Sequence, residues 1–105
     1  MKTVTVKLGG KNYLAAQLTI SGFSDVTRIV AAMNQAGRDR DLSKVNGLLR
    51  ELTEIACNSI RRAGSKITVE ELCEIAQPEE IAEAVGILIH LENSSGFRAV
   101  NQRIN

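Results

Sequence analysis

Acid–base or nucleophilic chemistry needs an imidazole, a thiolate or paired carboxylates held within hydrogen-bond reach of a reacting group. The supply in this chain is thin. His90 is the single histidine of 105 residues, and it falls with Glu79, Glu83 and Gly86 on the polar side of a helical stretch, as a solvated side chain would. Glu70, Glu71, Glu74, Glu79, Glu80 and Glu83 cluster, but four of them occupy the first turns of two expected helices, where capping and the helix dipole account for carboxylates without catalysis. Cys57 and Cys73 are separated by fifteen residues with no C-x-x-C, so with one histidine a four-ligand zinc site cannot be assembled from thiol and imidazole. Their apolar neighbours, Ile55-Ala56 and Leu72 with Ile75, predict two buried, reduced thiols.

Gly9-Gly10-Lys11 contains the residue types of a phosphate-binding loop. It lacks the G-x-x-x-x-G-K-[ST] spacing and the helix that should open directly after it. No G-x-S-x-G, H-E-x-x-H, G-x-G-x-x-G or calcium-loop spacing occurs either. The expectation is a chain that is not an enzyme, with no catalytic residue, no metal site and no cofactor.

Nucleic-acid binding draws on a different inventory, and two short consecutive helices near residues 69–76 and 78–92 superficially suggest a helix-turn-helix. The segment from Ile67 to Gly96 holds seven Glu and no Lys or Arg, so phosphate repulsion excludes a recognition helix there. Arg38, Arg40, Lys44, Arg61 and Arg62 form the remaining basic cluster. They are interleaved with Asp39, Asp41, Glu51 and Glu54, as on a solvated mixed-charge surface. Thirteen Lys and Arg against twelve Asp and Glu leave a net charge of +1, unlike a strongly basic nucleic-acid footprint. With no Trp, two Phe and one Tyr, a base-stacking platform or a carbohydrate cleft is also disfavoured.

The elements that must position these residues are legible from period and caps. Val4, Val6 and Leu8 alternate before Gly9-Gly10-Lys11, and Leu14, Ala16, Leu18 and Ile20 alternate after it, which predicts an antiparallel β-hairpin. From Ser24 the period becomes helical, with Val26, Ile29, Val30 and Met33 on one face and Gly37 as C-cap. Asp41 caps a second helix, striped by Leu42, Val45, Leu49, Leu52, Ala56 and Ile60, that runs to about Ala63 before Gly64-Ser65. Thr68-Val69-Glu70-Glu71 fits a capping box for a short third helix over about 69–76. Pro78, followed by Glu79 and Glu80, opens a fourth that ends near Asn93. The fold class is therefore α+β, a hairpin followed by about four α-helices, forming a single domain over residues 1–96. Residues 97–105 are weakly patterned and read as a tail that is disordered or orders only against a partner.

No apolar stretch approaches the ~20 residues that span a bilayer, and the alternating N-terminus is unlike a signal peptide. A cytoplasmic location is expected, with no membrane partner. Two features exceed what a generic domain requires. On the fourth helix, Ile81, Ala84, Val85, Leu88 and Leu91 form one stripe, while Ile87 and Ile89 flank it and widen the apolar arc to roughly 200°, against the ~100° of an ordinary surface helix. Either the domain encloses that helix or another chain covers one shoulder, which makes Ile87 and Ile89 the candidate partner-binding residues. Charge is also segregated: residues 1–66 hold eleven basic and five acidic side chains, residues 67–105 two basic and seven acidic. Such a dipolar chain can associate with itself or dock a basic partner segment, or its two halves can face each other.

The opening T-V-T-V-K-L-G-G-K-N-Y-L, a second strand ending Leu18-Thr19-Ile20, a helix, then Ile60-Arg61-Arg62 before Ile67-Thr68-Val69-Glu70-Glu71-Leu72 and a final acidic-to-apolar helix resemble the small tail assembly chaperones of tailed phages and prophages. The likeness covers roughly residues 3–93 and lies in order and length rather than in an invariant motif. It implies a non-enzymatic helper in the host bacterial cytoplasm that coats the long helical tape measure protein before tail tube subunits polymerise around it. The tape measure protein, the tail tube protein and further copies of the chain would be its partners. Two other readings stand beside it: a structural tail or connector accessory protein of a phage or prophage, and a small nucleic-acid-binding regulator acting through residues 38–62.

Overall fold

The computed structural model describes residues 2–92, and the elements follow the expected order. Strands β1 (Thr3–Leu8) and β2 (Lys11–Ala16) precede helices α1 (Ile20–Arg38), α2 (Leu42–Arg62), α3 (Val69–Ile75) and α4 (Pro78–Glu92). The α+β class and the hairpin-then-helices architecture are as the sequence predicts. The expected tail over 97–105, the limit placed at residue 96 and the side chain of Leu91 lie outside what is described.

β1 and β2 pair antiparallel through a two-residue turn, with Leu8 opposite Lys11 and Val6 opposite Tyr13. Both turn residues have positive φ, Gly9 at 60° and Gly10 at 79°, as a type I′ turn demands. A two-residue loop sets even-numbered positions of β1 opposite odd-numbered positions of β2. The face carrying Val4, Val6 and Leu8 is therefore completed by Tyr13 and Ala15, not by Leu14 and Ala16. Leu14 is turned outward and is 57% exposed, while Ala16 is fully buried despite belonging to the other face. The expected alternation after the turn is corrected accordingly: β2 ends at Ala16, and Ile20 belongs to α1 rather than to the strand.

The start of α1 lies four residues before the expected Ser24. Thr19 is its N-cap, its Oγ1 accepting the Gly22 N–H at 3.0 Å, and this satisfies one of the otherwise unpaired donors of the first turn. Gly37 is inside the helix rather than its cap. Asp39 is the C-cap, Arg40 adopts φ 56°, and the N–H groups of Arg40 and Asp41 return to the carbonyls of Gly37 (3.2 Å) and Ala36 (2.9 Å). That is a Schellman closure with arginine in the left-handed position usually given to glycine. Val26, Ile29 and Ala36 are buried on α1, but Val30 is 41% exposed.

Asp41 caps α2, its Oδ1 accepting the Lys44 N–H at 3.1 Å. Leu48, Leu52, Ala56, Cys57 and Ile60 carry its buried stripe, with Val45 and Leu49 half-buried beside it, and Leu42 is left 75% exposed. α2 is the hub of the domain, packing against α1, β2, α3 and α4, while α4 also packs against β1. The Thr68 capping box of α3 is formed, Thr68 Oγ1 accepting from Glu71 N at 3.2 Å and Glu71 Oε1 accepting from Thr68 N at 3.3 Å.

On α4, Ile81, Ala84, Val85 and Leu88 are buried. Its first turn is tied to the hairpin by one carboxylate. Glu80 Oε1 accepts the N–H of Gln77 at 2.8 Å and the N–H of Gly9 at 3.1 Å. These two backbone bonds, that of Gln77 foremost, hold the Glu80 carboxyl below its ordinary pKa, helped by the charge of Lys7. The turn is also closed sterically, because a Cβ at Gly9 would stand 2.9 Å from both the Cβ and the carbonyl oxygen of Ile75 at the end of α3.

Candidate interaction surface

Ile87 and Ile89 are both half-buried and both pack against the core. They flank the buried stripe of α4 as the sequence pattern places them. The large aliphatic side chains that stand most clear of the domain are elsewhere: Ile20 is 90% exposed, Leu42 75% and Leu14 57%. Ile20 and Leu42 each directly follow an N-cap residue, Thr19 and Asp41. Their period does not mark either as exposed, because Leu42 continues the i, i+3, i+7 spacing of Val45 and Leu49 and Ile20 continues the alternation of Leu18.

Two grooves border α2. The larger, about 500 Å³, lies at the open end of the α1–α2 hairpin. Leu18, Thr19, Ser21, Gly22 and Asp25 form one wall, and Ile55, Asn58, Ser59, Arg61 and Arg62 the other. The start of α1 and the end of α2 meet there because the Schellman turn sends α2 back along α1. Arg62 ties the two walls together, its Nη1 donating to the Gln17 carbonyl at 2.8 Å. The smaller groove, about 260 Å³, lies between α2 and the α3–α4 junction and includes Leu49, Arg50, Cys73 and Pro78.

The two cysteines part company. Cys57 is fully buried, its Sγ donates to the Ile67 carbonyl at 3.5 Å, and desolvation pushes its thiol pKa up. Cys73 is exposed, contrary to the expectation of two buried thiols, and accepts from Arg50 Nη1 at 3.8 Å. Leu72 is the α3 residue that turns inward, with no exposed surface, and its sequence neighbour Cys73 is rotated about 100° away from it on the helix. No group of three or more metal-ligating side chains forms among the described residues, and His90 is exposed in the last turn of α4. No helix among them is long and apolar enough to cross a membrane.

The basic cluster of the sequence is not one patch. Arg38, Arg40 and Lys44 surround the α1–α2 turn, whereas Arg61 and Arg62 lie at the far end of α2, about 25 Å away at 1.5 Å per residue. Several interleaved acids are already engaged: Asp39 accepts from Gln35 at 3.1 Å, Asp41 caps α2, and Glu51 pairs with Arg28 at 3.3 Å. Arg50 pairs with Glu54 and, across to α3, with Glu70 at 3.6 Å. That last contact is the one ion pair among the described residues that links the basic and acidic halves of the chain.

Among the described residues the domain thus offers two grooves beside α2 and isolated, exposed aliphatic side chains. No family model matches the sequence, and no curated protein and no solved structure matches it.

Proposed function

We propose that the chain is a tail assembly chaperone of tailed phages or prophages, a non-enzymatic protein of the host cytoplasm that binds the tape measure protein and assists tail tube assembly. The observation that carries the reading is the succession of elements: a glycine-turn hairpin from the T-V-T-V-K-L-G-G-K-N-Y-L segment, then four helices, the third opened by the Thr68-Val69-Glu70-Glu71 capping box. Exposed aliphatic side chains at Ile20, Leu42 and Leu14 support it, because a chaperone of helical chains needs apolar surface that exchanges partners.

The test is co-expression with the cognate tape measure protein. The partner should remain soluble and co-purify with the chain. Ile89→Asp and Ile87→Asp probe the shoulder of α4, and because both side chains pack on the core, thermal unfolding of each variant must accompany the binding result. Ile20→Asp and Leu42→Asp provide variants at positions the core does not use. A tape measure protein that aggregates regardless of the chain, or the chain itself present in finished virions, would refute the proposal; the second result would favour a structural tail component.

A further inference from the structure

The larger groove differs from an ordinary apolar cleft in the state of its charges. Arg28 and Arg50 have carboxylate partners. Arg61 and Arg62 have none among the described residues, and Arg62 donates to a neutral carbonyl, that of Gln17. Asp25 is the single acid in the lining, against these two guanidinium groups. Leu18 on one wall and Ile55 on the other give the groove an aliphatic lining, and its volume of about 500 Å³ lies within the ~300–1,000 Å³ of ordinary ligand clefts. Ile20, whose chain neighbours Thr19 and Ser21 both line the groove, is 90% exposed beside it.

We infer that this groove binds an acidic peptide segment that also carries aliphatic side chains. Arg61 and Arg62 take its carboxylates, for which the guanidinium fork is suited, and Leu18, Ile55 and Ile20 take its apolar side chains. Charge complementarity sets the choice of occupant. A basic segment would leave both arginines facing like charge, and a neutral apolar one would make no use of either guanidinium. Asn58 and Asp25 add an acceptor on each wall for backbone or side-chain N–H groups. The inference rests on reading the chain as a binding protein and names the chemistry of what it binds.

A random dodecapeptide display library selected against the full chain, at low and at elevated salt, tests it without assuming the tape measure protein is the partner. Enriched peptides should combine Asp or Glu with Leu, Ile or Val. The tightest of them, made synthetically, should lose at least tenfold in affinity against Arg61→Glu, lose much less against Arg61→Lys, and bind Arg50→Gln like the parent. Amide shifts on titration should centre on Leu18, Ser21, Gly22 and Asn58. Circular dichroism of each variant checks folding, and Arg61, whose guanidinium has no hydrogen-bond partner among the described residues, is the less disruptive of the two arginines to change. Enrichment of basic or uncharged peptides, binding indifferent to Arg61→Glu, shifts centred on the smaller groove, or no enrichment at all would overturn the inference. So would retention of single-stranded DNA that the same substitution abolishes, which would assign the arginines to phosphate instead. Failure here leaves co-purification with the tape measure protein as a separate result, because that partner can engage α4 or the outer hairpin face.

Discussion

Gly9→Ala and Gly10→Ala form a matched pair that separates backbone conformation from tertiary packing at the hairpin turn. Both glycines have positive φ, 60° and 79°, so each alanine incurs a left-handed cost of about 1–2 kcal/mol. Each also recovers roughly 0.4–1 kcal/mol by restricting the unfolded chain. Around Gly10 a Cβ meets nothing within 4 Å, so the net loss there should be about 0–1.6 kcal/mol. At Gly9 the same atom falls 2.9 Å from the Ile75 Cβ and 2.9 Å from its carbonyl oxygen. Overpacking of this kind typically costs about 1–3 kcal/mol. Moving the turn away from α3 to relieve it would also strain the 3.1 Å bond from the Gly9 N–H to Glu80. Gly9→Ala should therefore lose about 1–4.6 kcal/mol, about 1–3 kcal/mol more than Gly10→Ala, against the ~5–15 kcal/mol stability of a typical domain. Urea unfolding followed by circular dichroism at the helix band, with linear extrapolation to water, resolves a difference of that size. Adding Ile75→Ala should not rescue Gly9→Ala, since the Cβ and carbonyl oxygen of residue 75 both remain. Equal destabilisation by the two alanines, or a larger loss at Gly10, would refute the close approach of α3 to the turn.

Three further outcomes follow from local features. Arg40→Gly should raise stability by about 1 kcal/mol, as a midpoint shift in urea, because Arg40 holds φ 56° at the end of α1 where glycine carries no Cβ penalty. Glu80 has a folded-state pKa below its unfolded value, so its contribution is complete above the ordinary carboxylate range and disappears as pH falls through the folded value. The stability difference between wild type and Glu80→Gln should therefore be present at neutral pH and vanish in acid, and a difference that persists at low pH would contradict the carboxylate bridge. One thiol, Cys73, should react with a maleimide within minutes at neutral pH, while Cys57 reacts only on denaturation. Mass mapping of the labelled peptide checks the assignment.

Much of the hairpin and helix order was written in residues close together in the chain. Gly9-Gly10 and the alternating strands, Asp41 at the start of α2, Thr68 with Glu71, and Pro78 with Glu80 each act within a few positions of themselves. Where a local reading failed, a second local signal competed with it. Ile20 continued the alternation of Leu18 and so looked like strand, although Thr19 before it caps a helix. Gly37 looked like a cap because glycine usually is one, but the left-handed position fell three residues later, on Arg40. The candidate surface was less legible. The wide apolar arc singled out Ile87 and Ile89, but an arc measured on one helix does not say how its neighbours cover it, and both side chains pack on the core.

By itself, then, the sequence determined the α+β class, the number and order of elements, most of the caps and the absence of the familiar catalytic spacings. These depend on hydrophobic period and on backbone groups that side chains satisfy within one turn. Tertiary structure alone decided that Arg61 and Arg62 face Leu18 and Thr19 across a groove, that Cys73 is open while Cys57 is closed, and that Gly9 admits no side chain. Each depends on partners distant in the chain, as with the Gly9–Glu80 bond across 71 positions. No periodicity encodes such a pairing; it emerges when the strands and helices bury their apolar faces together.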